Sequence, residues 1–442
     1  MLSPEENDLI CRVRPGTPMG DVLRQYWLPL VLSHEVESDG PPLRVRLLGE
    51  DLVAFRDSDG QVGLLGDHCP HRGASLFFGR NQECGLRCVY HGWKFDRAGR
   101  CVDMPNEQPE SNFKDKIHHT AYRCRERNGV VWTYMGPRSE PPELPSLEWN
   151  LVPEAQRHVT KRRQLSNWIQ ALEGGIDPCH TPFLHSSFKR AQADSPRSRF
   201  LQADKHPRYE LLDTPYGMRI GTRRTIDEQH DFWSITHFLM PFYNAFSATD
   251  GQPDPTVGGF AWVPMDDTST MAWCFSWNPV RPLTNDEIHE TRARTLLGGG
   301  VHVGADELLP PTSEPGGAWR PIARAENEYL LDRAAQRSER FSAVPGISGQ
   351  DFSLQESMGP MFDRSQEHLG SSDTAIIQAR RCWLKAAREL REHGRTPLGV
   401  DHPESYLARA TGLIARRDDD WTKAGDGWIT GRETTAPSLS IV

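Results

Sequence analysis

Residues 69–95 read CPHRGASLFFGRNQECGLRCVYHGWKF. Two units stand out, Cys69-x-His71 and Cys88-x-x-His91, with sixteen residues between them. Gly73, Gly85 and Gly92 lie beside them and allow tight backbone turns. Each unit offers one thiolate and one imidazole. Zinc accepts two of each in a tetrahedron, but zinc sites usually open on Cys-x2–4-Cys. The order Cys-His then Cys-His suits a two-iron cluster better, with two cysteines on one iron and two histidines on the other. Zinc stays open on the residues alone. Pairing Cys84 with Cys88 leaves no Cys-x-x-His unit, so Cys84 reads as a small hydrophobe. His68 points away from Cys69 on an extended chain and reads as structural.

The flanks of this stretch are strand-like. Segments 42–65, 90–104 and 128–137 are rich in Val, Leu and aromatic residues, with turn signals at GED, DSDG and RAGR. Segment 23–36 reads as a short helix or an extended lead-in; Pro29 argues against a helix through its middle. Four prolines in 136–150 mark a linker. Beyond it, 217–225, 230–242, 260–265 and 270–279 read as strands. Segment 371–394 reads as a helix, capped by Ser372 or Asp373 and closed by Gly394. The expected fold class is α+β: a lead-in over 1–40, an all-β domain over 41–150, then a domain over 151–442 with an antiparallel β-sheet flanked by helices.

Composition narrows the function classes. The chain has 442 residues, a net charge of −9, 37 % hydrophobic and 25 % charged residues. Such a balance gives no general attraction to nucleic acid or anionic membrane. No apolar run approaches the roughly 18–20 residues of a membrane span, and the acidic start MLSPEEND is unlike a signal peptide. Nine cysteines, an odd count spread widely, fit a reducing, cytoplasmic setting.

A cluster alone would only carry electrons, so a second metal site decides between carrier and enzyme. NWIQALEGGIDPCHTPFLH (167–185) holds His180 and His185. Five residues apart, they sit about 140° from each other on a regular helix. Pro178 and Pro182 predict an interrupted or widened helix that brings them together. Two imidazoles with one carboxylate form the facial triad of non-haem Fe(II) oxygenases. Candidate carboxylates are Asp351, Glu356, Asp363 and Glu367. Asn167 and Glu173 read equally well as structural, and His368 reads as structural.

CPHRGA with CVYHGWKFD resembles the Rieske [2Fe-2S] domain of aromatic-ring-hydroxylating oxygenases. It lacks the extra cysteine pair of the respiratory Rieske proteins. RPGTPMGDVLRQYWLPL, RGASLFFGRNQECGLRCVYHGWKFD and ESMGPMFDRSQEHLG are similar to the phthalate dioxygenase-like group, and the resemblance spans nearly the whole chain. It implies Cys69, His71, Cys88 and His91 as cluster ligands. It implies His180 and His185 on a mononuclear Fe(2+), with Asp351 as third ligand through the D-x4-E pattern of Asp351 and Glu356. It also implies that Asp177 bridges to His91 of the partner subunit, and that the chain forms a homotrimer or stacked trimers.

The expected function follows. A separate flavin- and iron–sulfur-containing, NAD(P)H-dependent reductase supplies electrons, because no strand–G-x-G-x-x-G–helix unit occurs here. O2 is activated at the mononuclear iron and an aromatic compound, an aromatic carboxylate by expectation, is dioxygenated. O-demethylation of a methoxylated, lignin-derived aromatic acid is the alternative; a plain Rieske electron carrier is the non-enzyme one. Arg219, Arg223 and Arg224 are candidate carboxylate anchors. Segment 231–246 is expected to line the pocket and 296–319 to cap it.

Overall fold

The computed structural model describes residues 2–186, 188, 196–246, 252–289 and 308–439. Runs of Val, Leu and aromatic residues build most of the six antiparallel strands in the N-terminal half: β1 (Trp27–Leu32), β2 (Leu43–Leu47), β3 (Glu50–Arg56), β4 (Val62–Gly66), β9 (Ala121–Arg127) and β10 (Val130–Tyr134), in the order β1-β10-β9-β4-β3-β2. Pro29 sits in the edge strand β1, where the register shifts between Pro29 and Val31. An edge is where a strand tolerates a residue that cannot donate. After two short helices, α1 (Pro4–Cys11) and α2 (Pro18–Leu23), the lead-in therefore contributes a strand to this sheet. Four short strands, β5 (Arg80–Asn81), β6 (Leu86–Arg87), β7 (Lys94–Phe95) and β8 (Cys101–Asp103), form a small sheet that carries the 69–95 stretch.

The second domain is built on an eight-stranded antiparallel sheet. Its path is β11 (Arg157–Gln164), β17 (Thr270–Trp277), β16 (Val257–Pro264), β15 (Tyr243–Phe246), β14 (His230–Leu239), β13 (Gly217–Thr225) and β12 (Arg208–Thr214), with β18 (Thr411–Arg416) also paired to β14. Three helices cover one face: α3 (Trp168–Gly175), α5 (Ile347–Ser357) and the long α6 (Thr374–His393). Trp383 of α6 packs edge-on against Trp168 and Phe238, both at 5.1 Å. Gly394 closes α6 in the left-handed region, φ 64°. Asp373 caps the preceding turn instead of the helix, accepting from Gly370 N–H at 2.7 Å. The domains join through a ring stack, Trp132–Trp149 at 6.0 Å and Trp149–Phe275 at 4.6 Å.

Glu173, in the last turn of α3, is a structural hub. It accepts from Arg380 Nε at 2.6 Å and Arg364 Nη2 at 3.1 Å, and Arg364 is fully buried. Burial opposes its charge, but the two guanidiniums outweigh that and hold its pKa below the ordinary range. That stabilisation is complete above the unfolded value of about 4.3 and is lost as pH falls through the lower folded value. Glu173→Gln leaves the fully buried Arg364 without a counter-ion and Arg380 with Glu367 alone. Denaturant titration is expected to show a loss of about 3–5 kcal/mol.

Candidate functional site

The two ligand units form matching loops. Cys69 N–H donates to Ala74 O and Gly73 N–H returns to Cys69 O, both at 2.8 Å. In the second loop, Cys88 N–H donates to Trp93 O at 2.8 Å and Gly92 N–H to Cys88 O at 2.9 Å. Gly73 and Gly92 take φ of 75° and 81°, which explains a glycine at each place. Both thiols are 3 % exposed and adjacent. Burial pushes the Cys69 thiol up to about 11, so loading a metal there must release a proton. The His71 and His91 rings lie 4.4 Å apart, and His71 stacks on Trp93 at 4.4 Å. His71 Nδ1 is buried with no partner. Two adjacent thiols and two imidazoles in contact, one with a buried nitrogen that has no partner among the described residues, fit the donor set of a [2Fe-2S] cluster.

Cys84 departs from its expected role. It is half-buried at a turn with φ 55°, its N–H on Ser58 Oγ and its thiol beside Asp59. His68 is exposed, with Nδ1 3.2 Å from Gly73 O.

In the second domain, α3 stops at Ile176, and one helical turn, α4 (Thr181–Leu184), follows with His180 and His185 at its two ends. The helix breaks before the histidines, in the Asp177–Cys179 turn, and not between them. His180 Nε2 and His185 Nε2 approach to 3.1 Å. Asp351 Oδ1 of α5 lies 3.2 Å from His185 Nε2 and 3.6 Å from His180 Nε2. The three donors lie within 4.8 Å of one another, a group that could hold a metal ion.

The far side of each imidazole is also held. Asp177 Oδ2 lies 3.4 Å from His180 Nδ1, while its Oδ1 accepts from Cys179 N–H at 2.7 Å. Burial pulls the His180 pKa down, but Asp177 and Asp351 more than offset it. Gln350 Oε1 lies 2.8 Å from His185 Nδ1 and Gln350 Nε2 donates to Val344 O. An acceptor at each Nδ1 fixes the tautomer that presents Nε2 to a metal. Gln350 carried no signal in the sequence beyond its position next to Asp351. Gln350→Leu is expected to weaken iron retention about 10–100-fold, read by iron content after chelator challenge.

The other carboxylate candidates are committed elsewhere. Glu356 accepts from Leu165 N–H and Tyr329 O–H, both at 2.8 Å. Asp363 caps Ser365, Glu367 pairs with Arg380, and His368 is exposed. Asn167 caps α3 and donates to Cys11 O and Asp267 O.

The three arginines separate by strand parity. Arg219 donates to Thr422 O and pairs with Asp426, and Arg223 pairs with Asp231 and Glu210. Both lie on the sheet face away from the histidine loop, which corrects the expectation that they stand together with Arg224 as anchors. Arg224, of opposite parity, donates to Pro178 O at 3.4 Å within that loop and to Asp204 O at 3.1 Å. From 231–246, Asn244 donates to Gly175 O and Phe246 stacks on Phe260, on the helix-covered face. Of the expected cap, 296–307 lie outside the described residues. Residues 314–319 meet the opposite face, through Arg163–Glu314 and Trp319–Glu35.

Comparison with known proteins agrees with both centres. Residues 26–122 match the Rieske [2Fe-2S] domain family, and residues 133–436 match the family described as LigXa C-terminal domain like. The chain is 39 % identical over 435 residues to the 3-chlorobenzoate-3,4-dioxygenase oxygenase subunit of Comamonas testosteroni, covering 98 % of this chain and 99 % of that one. It is 40 % identical over 437 residues to the phthalate 4,5-dioxygenase oxygenase subunit of Pseudomonas putida, covering 95 % and 94 %. Dicamba monooxygenase bound to 3,6-dichlorosalicylic acid shares the fold at a TM-score of 0.58 and 16 % identity, over 84 % of this chain and 99 % of that one. Among the described residues no helix is long and apolar enough to cross a membrane. With a Rieske domain and a mononuclear-iron catalytic domain in one chain, the protein belongs to the Rieske non-haem iron oxygenases, as an oxygenase α component of the phthalate dioxygenase-like group.

Proposed function

We propose that this chain oxygenates an aromatic carboxylate with electrons from a separate NAD(P)H-dependent reductase. Cys69, His71, Cys88 and His91 hold the cluster; His180, His185 and Asp351 hold the mononuclear iron. The observation that carries this reading is the convergence of two imidazole Nε2 atoms and one carboxylate oxygen, each imidazole backed at Nδ1. When bound, the iron supplies O2 activation and the cluster relays electrons singly. Two imidazoles and one carboxylate would hold the iron and leave it able to take O2 beside the substrate.

Electrons pass between subunits in this reading. Asp177 lies on the rim of the triad and is partly exposed, and this reading sets it against His91 of the partner subunit. The cluster tip supports such docking: Val89 and Tyr90, in the loop between Cys88 and His91, are 58 % and 57 % exposed. Apolar groups gathered at a redox tip favour burial against another protein surface. A head-to-tail contact of this kind closes into a ring, a homotrimer or stacked trimers.

The aromatic carboxylate is supported by the names of the two close relatives. Iron analysis and turnover test the whole reading. The expected values are about three iron atoms per chain and reductase-driven, O2-dependent products from a panel of benzoates, phthalates and methoxylated aromatic acids. Two irons per chain with no product would leave an electron carrier instead.

A further inference from the structure

Arg162 is a buried charge near the triad with no carboxylate partner among the described residues. It lies on β11, is 1 % exposed, and forms no ion pair among the described residues; Glu356 and Asp351 act on it only through space. Its Nη1 donates to Gln164 Oε1 at 2.5 Å, and its Nε is buried with no acceptor. Both nearby carboxylates are already engaged, Asp351 by His185 and Glu356 by Leu165 and Tyr329.

Strand parity aims this cation at the catalytic face. Lys161 and Arg163 turn to Glu35 and Glu314. Arg162 and Gln164 turn the other way, to Phe352 and Gln355 of α5, the helix that carries Asp351. The guanidinium lies 4.7 Å from the Phe352 ring centroid and 5.8 Å from that of Trp262. Trp262 stacks on Phe260 at 4.8 Å, and Phe260 on Phe246 at 5.5 Å. A strip of aromatic rings thus runs across this face and ends in a buried guanidinium.

Burying an arginine without a counter-ion is costly, and an apolar side chain of similar volume would be the more stable choice. Fe(2+) against one carboxylate leaves the centre positive, and Arg162 adds to that charge. The missing component is an anion with a flat apolar body. A guanidinium fork fits a carboxylate, and aromatic walls fit its ring.

We infer that Arg162 is the specificity-determining cation of the site, selecting aromatic monocarboxylates over their neutral analogues. This rests on the oxygenase reading above but names a residue that reading does not use. Arg224 spends N–H groups on Asp204 O and Pro178 O, which ties it to holding the histidine loop; Arg162 gives only the one to Gln164 among the described residues.

The test uses iron-loaded full-length protein, with benzoate and its uncharged counterpart benzamide as probes and calorimetric titration as the readout. Wild-type protein is expected to prefer benzoate by about 10-fold or more. Arg162→Met should weaken benzoate about 100-fold and leave benzamide within about twofold. Arg162→Lys should keep a smaller preference for benzoate, because the charge remains and the fork is lost. Iron content and circular dichroism check that each variant is folded. Equal loss of both ligands in a folded Arg162→Met protein overturns the inference, as does a benzoate preference that survives the change. If Arg162→Met does not fold, Arg162→Lys decides: a reduced preference supports the inference, and unchanged benzoate affinity overturns it. Wild-type protein that binds benzoate no better than benzamide also overturns it. That result leaves the oxygenase reading intact, which fails instead if wild-type enzyme turns over no aromatic acid at all.

Discussion

Asp351→Ala is expected to lower iron from about three to about two atoms per chain, to leave the visible cluster spectrum unchanged, and to reduce turnover more than about 100-fold. Among the described residues, Asp351 Oδ1 is the carboxylate oxygen placed against both Nε2 atoms, 3.2 and 3.6 Å away. Hydrogen-bond partners behind the ligands typically cost 10–100-fold when removed, roughly, so loss of a direct ligand should exceed that. Burial raises the Asp351 pKa and the two histidines lower it further than burial lifts it. The carboxylate is therefore already an anion before a metal arrives. Glu356→Gln is the matched control. Glu356 is five residues away on the same helix, but its oxygens face Leu165 and Tyr329, so this variant should retain about three irons. Iron loss from Glu356→Gln with retention in Asp351→Ala would falsify the assignment.

How much of this was legible from the sequence depends on how local each signal is. The cluster loops are contiguous, and their cysteines, histidines and glycines can be read straight off 69–95. His180 and His185 are also local, and the two prolines announced the broken helix around them. Asp351 is different. It is brought to the histidines by tertiary packing of α5 on α3, and spacing alone did not separate it from Glu356, Asp363 or Glu367. What separates them is the use of each oxygen, which only the folded chain shows. Gln350 was invisible for the same reason.

The strands β9 and β11 were missed because AYRCRER and RHVTKRRQ look like solvated charge. The folded chain buries Lys161 and Arg162 on opposite faces of β11, at 2 % and 1 % exposure. Composition read as polarity hid a period-two pattern whose polar members are paired or functional. The same parity rule, applied to 217–225, separates Arg219 and Arg223 from Arg224 without any coordinates. A strand cannot aim residues 223 and 224 at one ligand.

Asp177→Asn should leave both metal centres loaded and still stop most turnover, with cluster re-oxidation slowed about 100-fold or more. Asp177 uses one oxygen for the Cys179 N–H and turns the other to His180 Nδ1. A carboxylate has acceptor sites to spare, so a second imidazole N–H, from His91 of the partner subunit, can join the same group. Asparagine keeps the volume and one acceptor. Its other terminus is an NH2 donor, which meets an imidazole N–H donor to donor. The bridge then opens although neither metal has lost a ligand. Rapid mixing distinguishes the steps: the reductase should reduce the cluster at the wild-type rate, while re-oxidation in the presence of substrate and O2 lags. A variant that loses its mononuclear iron would assign Asp177 to holding His180 alone. Normal re-oxidation with intact iron would show that electrons do not need this carboxylate.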